Sequence, residues 1–171
     1  MATAEKILLG YGVVTVGTTP IGLTRGGSVF NVERTYRHIQ ADGDMGIVKG
    51  RTVIDEENAK LTVNALELFN ATDMTKYYPG MSVTPDIETT PTKHTMTSTL
   101  KIVEGDYNDV KWVGKTKDGK AVTIIVKDAL NLDNLEWKLE DKNEVVPSIG
   151  FSATYDEAAK ETPPWNVEYA V

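Results

Sequence analysis

The sequence predicts a mainly β protein: a β-sandwich or barrel with one short flanking α-helix and one unusually long hairpin. Three observations carry that expectation. Runs rich in Val, Ile, Thr, Tyr and Phe alternate with a period of two along most of the 171 residues. Gly- and Pro-bearing turns punctuate those runs. Only one stretch, NATDMTKYY at 70–78, reads as a helix. The length suits a single domain, 1–171, with an N-terminal arm over about 1–17 and a C-terminal arm over about 157–171.

The elements follow in order. KILLGYGVVTV (6–16) reads as a first strand or a docked arm, and TTPIG as the turn after it. Adjacent glycines in TRGG mark a tight bend before a second strand over about 28–40. Its alternation puts Phe30, Val32, Arg34, Tyr36 and His38 on one face and Val29, Asn31, Glu33, Thr35, Arg37 and Ile39 on the other. A glycine-rich loop, ADGDMGIVKG, leads to a third strand over about 51–68. One face of it holds Val53, Asp55, Glu57, Ala59, Leu61, Val63 and Ala65; the other holds Ile54, Glu56, Asn58, Lys60, Thr62, Asn64 and Leu66. DEEN in its middle fits neither a buried strand nor a good turn, so a bend or break is expected there. Unbroken, the element is about three times the usual strand length.

The helix over 70–78 has Asn70 or Thr72 as candidate caps and ends at Pro79-Gly80. SVTPDIETTPTKHT reads as a loop with irregular extended stretches, and a strand follows near 95–103. DVKWVGKT and AVTIIVKD around KDGK form the clearest hairpin, because Asp-Gly suits a tight turn between strands. LEWKLED offers a further strand. VVPSIGFSATYD offers the last, with Phe151, Ala153 and Tyr155 on one face. EAAKETPPWNVEYAV reads as an arm that docks on something.

Composition excludes several classes. With 25 acidic and 18 basic residues the net charge is −7, which disfavours a protein that grips nucleic-acid phosphates. There is no cysteine, hence no disulfide framework, thiolate nucleophile or Cys-based zinc site. The apolar runs fall far short of the roughly 20 residues that span a bilayer, and MATAEKILLGYGVVTVG lacks a signal-peptide core. The chain therefore reads as folding in a cytoplasm, with no membrane partner.

No catalytic constellation stands out. His38 and His94 lie on different elements without an acid or second His at ligand spacing, so neither a metal nor another cofactor is expected. GGSVF is unlike a nucleophile elbow, and GYGVVTVG lacks dinucleotide-fold spacing. Asp55–Glu57 and the Asp42/Asp44 pair match no calcium loop and read as solvated faces. An enzyme is not expected.

The long hairpin poses a physical problem. Unpaired edges invite association with other chains, and closing the sheet into a barrel removes them. A chain of this size could lend the hairpin to a ring of identical subunits, one face on its own core and the other lining a channel. The core side would be Phe30, Val32, Tyr36, Leu61, Val63 and Ala65; the channel side would be Asn31, Glu33, Thr35, Arg37, Glu56, Asn58, Lys60, Thr62 and Asn64.

The residues from Pro20 to Leu68 resemble the N-terminal half of siphophage major tail proteins, the tail tube subunits. The likeness lies in Gly22, Thr24, Gly26 and Gly27 before a long strand. It continues in a loop with Asp42, Gly43, Gly46, Val48, Lys49 and Gly50, in the run from Leu61 to Leu68, and in the closing SIGFSATYD. The resemblance implies a sandwich whose long hairpin joins an inter-subunit β-barrel, assembled as hexameric rings stacked into a hollow tube. It implies a place in the virion tail after synthesis in the host cytoplasm, and no cofactor. It also implies four relationships: self, the tape-measure protein in the lumen, tail initiator and terminator proteins, and DNA that passes without specific binding. Ring contacts are expected from the N-terminal arm, from the loop bearing Asp42, Gly43, Gly46, Lys49 and Gly50, and from the C-terminal Trp165 and Tyr169. Removing 163–171 is expected to impair tube formation without unfolding the subunit. Alternatives are the tube of a contractile tail or phage-tail-like bacteriocin, and a β-sandwich binding module of a virion. The second would need an aromatic platform, which the scattered Trp112, Trp137 and Trp165 do not suggest.

Overall fold

A computed structural model describes residues 6–69 and 74–171. The described chain holds ten strands, one short α-helix and a 3-10 turn at Glu104–Asp106: β1 (Leu8–Val16), β2 (Thr19–Pro20), β3 (Thr24–His38), β4 (Thr52–Ala65), α1 (Met74–Tyr77), β5 (Met81–Pro85), β6 (His94–Ser98), β7 (Asn108–Thr116), β8 (Ala121–Asn131), β9 (Ser148–Ser152) and β10 (Trp165–Tyr169). The fold is the mainly β sandwich the alternation predicts. β2-β1-β7-β8-β9-β4-β3 run in that spatial order, all antiparallel; β10 adds to β8, and β5 and β6 form a separate two-stranded sheet.

β8 joins the two layers. Its first half pairs with β7 and β10, while Leu130 and Asn131 pair with β9. Asp128 lies between those halves with φ +44, and its N–H donates to the Asp109 carboxylate at 3.0 Å. A strand that changes sheets needs such a bend. The core fills the space between layers: Val14, Val16, Val110, Trp112, Val122 and Val126 from one, Leu61, Val63, Ala65, Ile149 and Phe151 from the other. Every second residue of β4 from Ala59 to Ala65 is buried, as period-two alternation requires.

The first glycine run is a packing device. Gly12 lies opposite Gly114 in the β1–β7 pair, and Trp112 lies against both. A Cβ on Gly12 would come within 2.5 Å of the Trp112 ring and 2.7 Å of the Val113 carbonyl oxygen. The glycines make room for the indole.

Several elements differ from expectation. The second strand begins four residues early, and Gly26 and Gly27 (φ +88 and +82) form an irregularity inside it, between the Thr24–Ala65 and Ser28–Val63 pairs. The segment expected to be a loop holds β5; the strand expected near 95–103 forms as β6, starting one residue earlier and ending at Ser98. Asp86 organises their connection by accepting N–H bonds from Ile87, Thr92 and Lys93 at 3.0, 2.9 and 3.0 Å and the Thr92 hydroxyl. LEWKLED forms no strand; Trp137 instead packs edge-on against Phe69 and Tyr78 and donates its indole N–H to the Tyr78 hydroxyl at 3.1 Å. The helix is observed over Met74–Tyr77, and its candidate caps Asn70 and Thr72 lie outside the described residues. The KDGK hairpin forms as expected, with Gly119 at φ +83.

Candidate functional site

The β3–β4 hairpin reaches beyond the core of the sandwich. Its inner half supplies core residues. Its outer half, from about Glu33 to Asp55, stands largely exposed, and β3 is the end strand of the sheet with one edge unpaired among the described residues.

Register decides which side chains share a face. Asn31 lies opposite Lys60, Glu33 opposite Asn58 and Thr35 opposite Glu56, so these six lie together, with Thr62 next in line opposite Val29. Asn64, two residues further along β4, closes the row; its amide lies 3.2 Å from where a Cβ on Gly26 would sit. The register then slips between Thr35 and Tyr36. Tyr36 pairs with Ile54 and Arg37 with Val53, leaving Asp55 as the extra residue of a β-bulge. This corrects the expected faces of β4 near the tip. Alternation puts Val53 and Asp55 on the strand face of Leu61, yet Val53 is opposite Arg37, and both Asp55 oxygens accept from Arg37 Nε at 3.1 and 3.0 Å. Ile54, which alternation puts on the strand face of Glu56, lies opposite Tyr36. Of the bend or break expected at DEEN, the structure has the bend, made by this bulge.

The two cations of the polar face are matched by carboxylates: Arg37 by Asp55 at 3.0 Å, and Lys60 Nζ by Asp133 at 2.6 Å. Glu33 accepts only from the Asn31 amide among the described contacts, at 3.1 Å. Glu33, Asp55, Glu56 and Asp133 against Arg37 and Lys60 leave the face with a negative balance. Gly150 admits the Lys60–Asp133 pair, since a Cβ there would lie 2.2 Å from both side chains.

The middle of the hairpin is tied to β10 and to Tyr155. Glu57 accepts from Arg34 Nε at 2.5 Å and from the Trp165 indole N–H at 2.7 Å, and its backbone carbonyl accepts from the Tyr155 hydroxyl at 2.9 Å. The Trp165 indole and then the Arg34 guanidinium hold the Glu57 carboxyl below the ordinary glutamate range. Arg34 is raised in turn, first by its bond to Glu57. Phe30 meets Trp165 with ring centres 5.6 Å apart. Trp165 therefore packs within its own chain, on β10 against β8, whereas Tyr169 near the end of that strand is 69% exposed.

The connection at the hairpin tip is organised. Asp44 accepts from the Ala41 N–H at 2.8 Å and pairs with Arg51 at 2.7 Å; Gly43 and Gly50 take φ +90 and +84. Gly46 has open space around it, and Asp42 and Lys49 are exposed. The loop presents Met45, fully exposed, and Ile47 at 66%. Sequence reasoning passed over this apolar tip and the Glu57 hub. Met45 sat unremarked in a glycine-rich loop. Arg34 facing Glu57 across two expected apolar faces was the available signal for the hub.

The chain has the fold of the anti-feeding prophage cap, a tube-terminating cap solved by electron cryomicroscopy. The TM-score is 0.56 at 14% identity, over 99% of this chain and 95% of that one. No protein-family model and no curated protein matches by sequence. Among the described residues no helix is long and apolar enough to cross a membrane, and no three His, Cys, Asp or Glu side chains group to hold a metal ion.

Proposed function

We propose that this chain is a structural virion protein, the tube subunit of a siphophage-type tail. Copies join their β3–β4 hairpins into the wall of hexameric rings, and the rings stack into a hollow tube that holds a tape-measure protein and later conducts DNA. The observation that carries this reading is the 15-residue edge strand β3, half of it standing beyond the core with one edge open. An open edge of that length is an aggregation hazard unless another chain covers it. The fold shared with a tube-terminating cap supports the same reading.

The channel side in this proposal is the polar face bearing Asn31, Glu33, Thr35, Arg37, Glu56, Asn58, Lys60, Thr62 and Asn64. Its negative balance suits a duct for DNA: carboxylates repel phosphate, and neutralised cations do not hold it. The arms and the tip loop supply contacts between copies, initiator and terminator proteins start and end the stack, and the assembled protein resides in the virion tail.

A second reading follows from the same likeness: the chain ends a tube rather than building one. A tube protein of a contractile tail or phage-tail-like bacteriocin is a variant of the first reading, sharing its architecture. Negative-stain microscopy of the purified chain over a concentration series separates them. Hollow tubes of indefinite length support the tube subunit; single rings support the cap; monomers at every concentration, with or without a tail initiator complex, contradict both.

A further inference from the structure

β4 runs from the hairpin tip at Thr52 to the base at Ala65, 14 residues that at ~3.3 Å per residue span roughly 45 Å. At its tip end the loop holds Met45 and Ile47 out into solvent. At its base end is an apolar cavity of about 480 Å³ lined by Phe69, Met74, Val83, His94, Met96 and Trp137. Phe69 is 79% exposed although it stacks edge-on with Trp137 at 5.6 Å, so the pair forms an open rim rather than a closed core. The β5–β6 sheet forms one wall of this cavity.

We propose that this cavity is a socket for the hairpin tip of a second copy of the chain, with Met45 as the inserted side chain and Ile47 beside it. The inference rests on the tube reading and gives β5–β6 its role within it. The occupant is chosen by three features. A knob and a socket at opposite ends of one strand make a head-to-tail contact, which propagates as an open stack instead of closing into a dimer. The unbranched thioether of Met fills irregular apolar gaps and favours aromatic neighbours, which Phe69 and Trp137 supply. The charges allow a pair as well: Asp42 and Asp44 precede Met45 and Lys49 follows it, while the stretch KHTMTSTLK through β6 carries Lys93, His94 and Lys101 and no acid. Asp44 is already held by Arg51, so the exposed Asp42 is the carboxylate offered to that basic strand.

The natural absence of cysteine makes the test direct. Full-length protein carrying Met45→Cys with Met96→Cys is oxidised under assembly conditions and run on a non-reducing gel. Met45→Cys with Val83→Cys serves as a second pair, should either single change perturb the socket. Met45→Cys with Val113→Cys is the control, since Val113 is exposed on β7, outside the arms and the tip loop. A disulfide requires Cα atoms within about 7 Å. A ladder of linked chains from either socket pair, several-fold stronger than the control, supports the contact. Tubes or rings without such a ladder overturn it and leave the tube reading standing. A ladder without particles supports the contact and counts against the tube reading, and neither ladder nor particles counts against both. Met45→Asp, which would place a charge in the socket, is expected to raise the protein concentration needed for particles by roughly tenfold or more; an unchanged threshold would also overturn the proposal.

Discussion

At the residue scale, single side chains explain why the sandwich holds and where it is sensitive. Leu61 is 1% exposed at the centre of β4, facing Phe30 and Phe151 across the strand pairs. Leu61→Ala is expected to cost about 2–5 kcal/mol, measured by denaturant unfolding of the unassembled chain. Gly12→Ala is expected to cost about 1–3 kcal/mol, because its new methyl meets both the Trp112 ring and the Val113 backbone, and only the ring could move. Asp86 makes a prediction about pH. The Thr92 hydroxyl, then the backbone N–H groups, pull its pKa down to about 2. A carboxylate depressed on folding adds stability above its unfolded pKa, and loses it as pH falls through the folded value. The β5–β6 connection should therefore hold its amide protection down to about pH 4 and lose it between there and about pH 2. Asp86→Asn should lose that protection already at neutral pH; protection unchanged in this variant would contradict the role given to the carboxylate.

At the element scale, β10 and the middle of the β3–β4 hairpin form one unit. Glu57 receives Trp165 from β10 and Arg34 from β3, so loosening any of the three loosens the others. Trp165→Ala should lower stability by about 1–3 kcal/mol, less than a fully buried aromatic because the ring is only half-buried. It should also raise hydrogen exchange in Val32–Glu57. Removing 163–171 takes away β10 as well, so the subunit is expected to stay folded but with a lower Tm, and tubes should form poorly; normal tubes from that truncation would rule out an assembly role for the arm. Glu57 is depressed, so acid below the ordinary glutamate range should release the Trp165 indole, seen as a shift of its Nε1–H resonance.

This scale also shows what could be read in advance. The strand pattern, the KDGK turn and the alternating faces of the inner hairpin are legible because burial imposes a period of two. The Asp55 bulge is not, since either register satisfies the local pattern and the Arg37–Asp55 pair selects one. β6 is legible as a strand, but its partner β5 is hidden for another reason: their connection is polar and set by side-chain-to-backbone bonds at Asp86, which leave no hydrophobic trace. LEWKLED misleads in the opposite way. It alternates, but Trp137 is held by ring contacts with Phe69 and Tyr78 rather than by a neighbouring strand.

At the scale of the whole molecule, the proposal is that a sandwich carries a hairpin meant for its neighbours. The charge on the hairpin's polar face gives a functional prediction. Glu33→Lys with Glu56→Lys reverses the local balance without touching the core, so tubes should still form. DNA ejection through them should slow, and more so at low ionic strength, where phosphate attraction is least screened. Ejection at the natural rate in low salt would remove the electrostatic part of the account. The most direct measurement is an electron cryomicroscopy reconstruction of the assembled protein, at a resolution that traces β3 and β4. The account predicts a central hollow whose wall is a continuous barrel of β3–β4 hairpins, with Glu33, Arg37 and Glu56 facing the hollow. Hairpins on the outer surface, or a particle with no hollow, would contradict it.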